Sequence, residues 1–252
     1  MESWTKEGEG WASSLCKHWR GPKPAIILPD RPADLPNVLC LGTDLDFPPP
    51  TGNRILVTRA YEDLFRRLLV LRKRDVGSAR GAVVTGQPGN GTSMNRPPPC
   101  ATAHRWIRSP GKTTFLTLML VRLVSAHQVV FYCNPNEVFL FYRGEVYTRS
   151  TQSGFKGLPR VPGVSYCPVW ALIDMDYKTE SPPITRESKI WPIQASSPRP
   201  VRWKQWHKQN RAALLGMPLW SMGELMMGYV VALFPQAPRY QSRPCRAMSV
   251  CH

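Results

Sequence analysis

Apolar positions in this chain follow two periods. From Arg54, the stretch ILVTRAYEDLFRRLLVLRKRD sets Tyr61, Leu64, Leu68 and Leu71 at helical spacing and closes on the basic run Arg72-Lys73-Arg74, which suits a helix C-terminus. Gly81 to Gly86 (GAVVTG) is a short apolar run that predicts a buried strand, and Phe115 to Ala126 predicts an apolar helix. Gln128 to Cys133 (QVVFYC) and Val138 to Tyr147 (VFLFYRGEVY) are rich in strand formers, the second bending at Arg143-Gly144. Pro168 to Asp176 (PVWALIDMD) and Lys189 to Ala195 (KIWPIQA) add two more strands. In VRWKQWHKQNRAALL, Trp203, Trp206 and Leu214 fall on one helical face, with Lys204, His207, Lys208 and Arg211 left to solvent. A last helix is predicted over Met222 to Phe234. Strands alternating with helices define an α/β fold, a parallel sheet flanked by helices.

Residues 1–53 are rich in Pro, Gly and Trp, lack sustained periodicity and end in Pro48-Pro49-Pro50-Thr51-Gly52, so they read as an extension or linker. Residues 54–234 form the predicted domain, and 235–252 an irregular basic tail without an acidic residue or apolar face. That ending reads as out of frame or read through, leaving the domain incomplete at its C-terminus.

The strand ending at Gly86 runs into Gly86-Gln87-Pro88-Gly89-Asn90-Gly91, the opening of a phosphate-binding loop, but the Lys-Thr that should follow stands at Lys112-Thr113. Joining the chain across Gly91 to Pro110 gives GAVVTGQPGNGKTTFL, which satisfies G-x-x-x-x-G-K-[ST] between a strand and an apolar helix. In the joined loop Gly86, Gly89 and Gly111 supply permissive backbone, with Gln87 and Pro88 between them. Successive N–H groups then face phosphate at a helix N-terminus. Lys112 would reach the β and γ phosphates, Thr113 would ligate Mg²⁺, and Thr114 continues the helix. The motif is that of a P-loop NTPase, with Mg²⁺ and a nucleoside triphosphate, ATP or GTP, as expected cofactors.

The intervening GTSMNRPPPCATAHRWIRSP has three consecutive prolines, no acidic residue and no periodic pattern. Gly91 admits an in-frame GT and Pro110-Gly111 a CAG across the codon boundary, so the segment reads as the translation of a short retained intron. A surface insertion is the alternative, although phosphate loops tolerate insertions less readily than other loops.

A net charge of +16 over 252 residues is compatible with a polyanionic partner. It is inflated by Arg96, Arg105 and Arg108 in the insert and Arg239, Arg243 and Arg246 in the tail, and removing these still leaves the chain basic. Seven scattered cysteines with no C-x-x-C support neither a zinc ribbon nor a disulfide framework, which favours a reducing, intracellular setting in cytoplasm or nucleus. MESWTKEGEGW is no ordinary secretory signal, and the apolar helix, interrupted by Arg122, is too short to span a bilayer, so no membrane partner is expected.

PVWALIDMD has the form of a Walker B strand, whose terminal Asp174 would hold the Mg²⁺ hydration shell. A core strand ending in a solvated turn is the alternative. Met175 follows where an adjacent carboxylate would activate water, with Asp176 as a substitute, so fast hydrolysis is not expected. Ser196, closing the next strand, is a candidate γ-phosphate sensor beside the plain reading of a strand-to-loop turn; Arg199 and Arg202 are indistinguishable from surface charges.

Taken together, VVTGQPGNGKTTFL as joined, VVFYCNPNEVFLFYRGEVY, PVWALIDMD, and WPIQASSP followed by LLGMPLWSMGELMMGY resemble the AAA-like ATPase domain of fungal Crinkler-type proteins, related to the RHS proteins, over about Ile55 to Phe234. The resemblance implies an ATP-dependent switch or motor for an attached effector, often nuclease-like, of which this sequence contains no trace. It also implies that the chain as written, with its split loop and short end, is a disabled fragment. The competing reading is a non-catalytic basic module binding nucleic acid through Arg72-Lys73-Arg74 and the Trp203 to Arg211 segment. An oligomer is compatible with either.

Overall fold

The computed structural model describes residues 4–19, 37–40, 54–73, 79–86, 111–134, 136–150, 169–174, 190–196, 200–218, 221 and 224. Its centre is an eight-stranded mixed sheet. In chain order the elements are β1 (Thr5–Lys6), α1 (Trp11–His18), β2 (Asn37–Cys40), β3 (Arg54–Val57), α2 (Arg59–Lys73), β4 (Ala82–Gly86) and α3 (Lys112–Ser125). They continue with β5 (Val130–Cys133), β6 (Glu137–Tyr142), β7 (Glu145–Ser150), β8 (Val169–Asp174), β9 (Ile190–Ser196), α4 (Lys204–Asn210) and β10 (Ala213–Met217). The sheet order is β1-β7-β6-β5-β8-β9-β4-β10, with a separate antiparallel β2-β3 pair.

The sequence predicts a parallel sheet; the structure corrects this to a mixed one. Strands β5, β8, β9, β4 and β10 are parallel, whereas β6, β7 and β1 extend one edge antiparallel. A two-residue turn decides the change. Arg143 (φ 50°) and Gly144 (φ 79°) are both left-handed, the geometry that folds β6 tightly back onto β7, where a parallel neighbour would need a long crossover.

α1, α2 and α3 cover one sheet face. Ala12, Leu15, Tyr61, Leu64, Leu68, Phe115 and Leu116 join Ala82, Val84, Trp170, Leu172 and Ile193 in the main core. α3 is buried on nearly every side, which accounts for its largely apolar sequence. The segment read as extension therefore contains a strand of the sheet and a helix of its cover. α1 buries only Ala12, Ser13, Leu15 and Cys16, too few positions to raise a periodic signal above its Gly- and Trp-rich surroundings.

α4 lies on the opposite face, where Trp206 and Trp203 pack with Val83 and Ala212. Here the helix predicted through Leu214 is corrected. Arg211 takes a left-handed conformation (φ 46°), the Ala212 amide bonds back to the His207 carbonyl, and the chain enters β10, leaving Leu214 44% exposed on a strand. The predicted helix from Met222 lies outside the described residues except at Glu224. There Ser221 and Glu224 exchange the reciprocal bonds of a capping box, at 2.7 and 3.2 Å.

β9 carries Pro192 in the interior of the sheet, where proline is rare because it cannot donate a ladder hydrogen bond. It is accommodated beside Gly81: a Cβ built there would lie 2.7 Å from the Pro192 carbonyl oxygen and 3.0 Å from its Cγ.

Candidate functional site

Five parallel strands end at one edge of the sheet, with Gly86, Cys133, Asp174, Ser196 and Met217 as their last residues. Adjacent β4 and β9 differ in the side their following helices take: α3 lies on the main-core face and α4 on the other. In open α/β sheets this divergence opens a crevice beyond the carboxyl ends of the two strands. Register aligns its floor, with Thr85 beside Ser196 and Ala195 beside Asp174.

Lys112 and Thr113 begin α3 at this crevice. The Thr113 hydroxyl donates to Asp174 Oδ1 at 3.2 Å, joining the first turn of the helix to the end of β8. Burial lowers the pKa of the Lys112 ammonium below the ordinary lysine value, partly offset by attraction to Asp174. Among the described residues no carboxylate lies within ion-pair distance of it. Thr114 is buried behind the pair, and the Thr117 hydroxyl bonds the Thr113 carbonyl at 3.0 Å, tightening the turn. Gly86 and Gly111 are both buried. Gln87, Pro88 and Gly89, the insert 91–110, Asp176, Arg74 and Arg199 lie outside the described residues. Lys112, Thr113 and Asp174 are thus brought together, and Ser196 closes the neighbouring strand, 3% exposed.

Sequence reasoning missed four residues at or near this edge. Tyr61, read only as an apolar position of α2, donates its hydroxyl to the Gly111 carbonyl at 3.1 Å. Tyr132 on β5 lies near enough to Asp174 for that carboxylate, after burial, to raise its phenol pKa. Among the described residues, the side-chain atoms of Gln194, fully buried on β9, and the Thr85 hydroxyl on β4 have no hydrogen-bond partner. An unsatisfied buried polar group costs about 1–3 kcal/mol. No local pattern announces these residues; only an isolated glutamine in an apolar strand, KIWPIQA, hints at one of them.

The donor set suits a hard divalent cation. Thr113 Oγ1 and Asp174 Oδ1 are oxygen ligands already adjacent, and Mg²⁺ is commonly held by one or two protein oxygens together with phosphate and water. Among the described residues there is no group of three or more His, Cys, Asp or Glu side chains able to hold a metal.

The basic surfaces separate into packed and exposed parts. Arg72 stacks its guanidinium 4.2 Å over the ring of Trp170, and Trp206 is buried, so neither is open to a base. Lys204, Lys208 and Arg211 are exposed. Among the described residues no helix is long and apolar enough to cross a membrane. The chain matches no family model, no curated protein and no solved structure.

Proposed function

We propose that this chain carries a Mg²⁺–nucleoside triphosphate site of the P-loop type, with ATP as ligand, and that the site serves as a slow switch for a partner module. The observation that carries the reading is the Thr113–Asp174 contact beside Lys112 at the crevice between β4 and β9. Lys112 would neutralise the phosphates, and Thr113 and Asp174 would hold magnesium; Ser196 is the candidate contact to the terminal phosphate. With Met175 following Asp174, no adjacent carboxylate activates water, which favours binding and release over rapid turnover. The resemblance to the ATPase domain of Crinkler-type proteins supports the same reading and adds an effector as the module switched. Nucleic-acid binding draws less support, because Arg72 and Trp206 are committed to packing.

The test is calorimetric titration of Mg-ATP into the chain and into the chain lacking Gly91 to Pro110, each with Lys112→Ala. Binding that requires both Mg²⁺ and Lys112 supports the proposal. Binding to neither protein, with both folded, overturns it.

A further inference from the structure

The first turn of α3 is held from outside the loop that precedes it. Tyr61 is fully buried, and its ring lies 5.6 Å from that of Phe115, one turn into α3. Its hydroxyl reaches the Gly111 carbonyl, which already accepts the Phe115 amide at 3.0 Å. Further along, Glu62 forms a two-pronged ion pair with Arg122 near the end of α3, and the Arg122 guanidinium lies 5.1 Å from the Phe65 ring. α2 therefore grips α3 near both ends.

The peptide bond is planar and trans, so the Gly111 C=O and the Lys112 N–H point in opposite directions. Two donors draw the carbonyl inward along the helix, so the Lys112 N–H is aimed outward at the sheet edge, where an anion would meet the helix N-terminus. We infer that Tyr61 is a positioning residue for phosphate: through the Gly111 carbonyl it sets the plane of the peptide that presents the Lys112 amide, beside the Lys112 ammonium and the Thr113 hydroxyl. This rests on the nucleotide reading above and adds α2 to the phosphate site. The hydroxyl holds the start of α3 from α2, through a contact that involves only described residues. Glu224, whose charge reaches Tyr61, does not alter the donor role, since burial already holds the phenol protonated well above neutral pH.

The experiment compares the wild-type chain with Tyr61→Phe, which removes one oxygen. Tyr147→Phe is the control, deleting a tyrosine bond to Glu145 (2.7 Å) on β7, far along the sheet. Two quantities are read: hydrogen exchange of the Phe115 amide without nucleotide, and affinity for Mg-ATP against adenosine. Tyr61→Phe should reduce Phe115 protection and Mg-ATP affinity each by about tenfold, the scale of one buried hydrogen bond, and leave adenosine affinity unchanged. Tyr147→Phe should change neither. Mg-ATP binding equal in Tyr61→Phe and wild type overturns the role of Tyr61 and leaves the site standing. No Mg-ATP binding by the wild-type chain or its 91–110 deletion overturns the site itself, and the inference with it. If Tyr61→Phe does not fold, 3-fluorotyrosine at position 61, a stronger donor of nearly the same shape, takes its place; unchanged Phe115 protection then overturns the inference.

Discussion

Thr113 and Asp174 stand 61 residues apart in the chain, and the hydroxyl of one bonds the carboxylate of the other at 3.2 Å. The contact links the start of α3 to the end of β8 across β9, which separates β8 from β4. Asp174→Asn keeps the shape and can still pair with the hydroxyl but removes the charge. Its expected effect is a Mg²⁺-selective defect: affinity for Mg-ATP falls about ten- to a hundredfold while metal-free ATP binding changes little. Titrations with and without Mg²⁺ check this; equal losses in both would show that Asp174 does not serve the metal.

If Lys112 neutralises phosphate as proposed, binding should depend on pH in a direction set by its burial. Its lowered pKa means that, between that value and the ordinary 10.5, the unfolded chain binds more protons than the folded one. Stability of the free protein therefore rises with pH across this window, as the penalty of burying a charge is relieved. The proposed site uses the charged form, so Mg-ATP affinity should fall over the same window. Melting and titration curves taken in parallel should slope in opposite directions, and Lys112→Arg should flatten both.

Deleting Gly91 to Pro110 joins the loop to Lys112 and should create or greatly strengthen nucleotide binding. Equal affinity of the two folded proteins would contradict this. The transcript across Asn90 to Lys112 is the companion measurement, since a spliced message makes the continuous loop the cell's product.

Gly81→Ala tests the junction with Pro192. The new methyl would stand 2.7 Å from a backbone oxygen that cannot rotate away, so β4 or β9 must shift. A loss of about 1–3 kcal/mol is expected from chemical denaturation. An unchanged midpoint would mean that the strands adjust at no cost.

Gln194→Met separates stability from function. It removes a buried amide that has no hydrogen-bond partner among the described residues and retains its volume, so the free protein should be equally or slightly more stable. If the amide serves the crevice, Mg-ATP affinity falls in the same variant. Reduced stability would mean that the amide already has a partner in the folded protein.

Exposed salt should matter little to the nucleotide site and much to any polyanion contact. Nucleic-acid binding through Lys204, Lys208 and Arg211 would weaken steeply with salt and ignore Lys112→Ala, the reverse of the pattern expected for Mg-ATP.

The sequence by itself determined the elements whose signal is local. The spacing of Tyr61, Leu64 and Leu68 marks α2, apolar runs mark β4, β5, β8 and α3, and Arg143-Gly144 marks the β6-β7 turn. The start of α3 at Lys112 and the end of β8 at Asp174 were also readable, because each bounds an apolar run, whereas the bond between Thr113 and Asp174 was not. Only the tertiary structure decided the mixed strand order, the membership of α1 and β1, the seating of Pro192 beside Gly81, and the second use of Tyr61. Periodicity records which side of an element is buried, through the geometry of one helix or strand. It does not record which distant element supplies the cover, so a tyrosine that fills a core and one that also orients a distant carbonyl occupy the same place in the pattern.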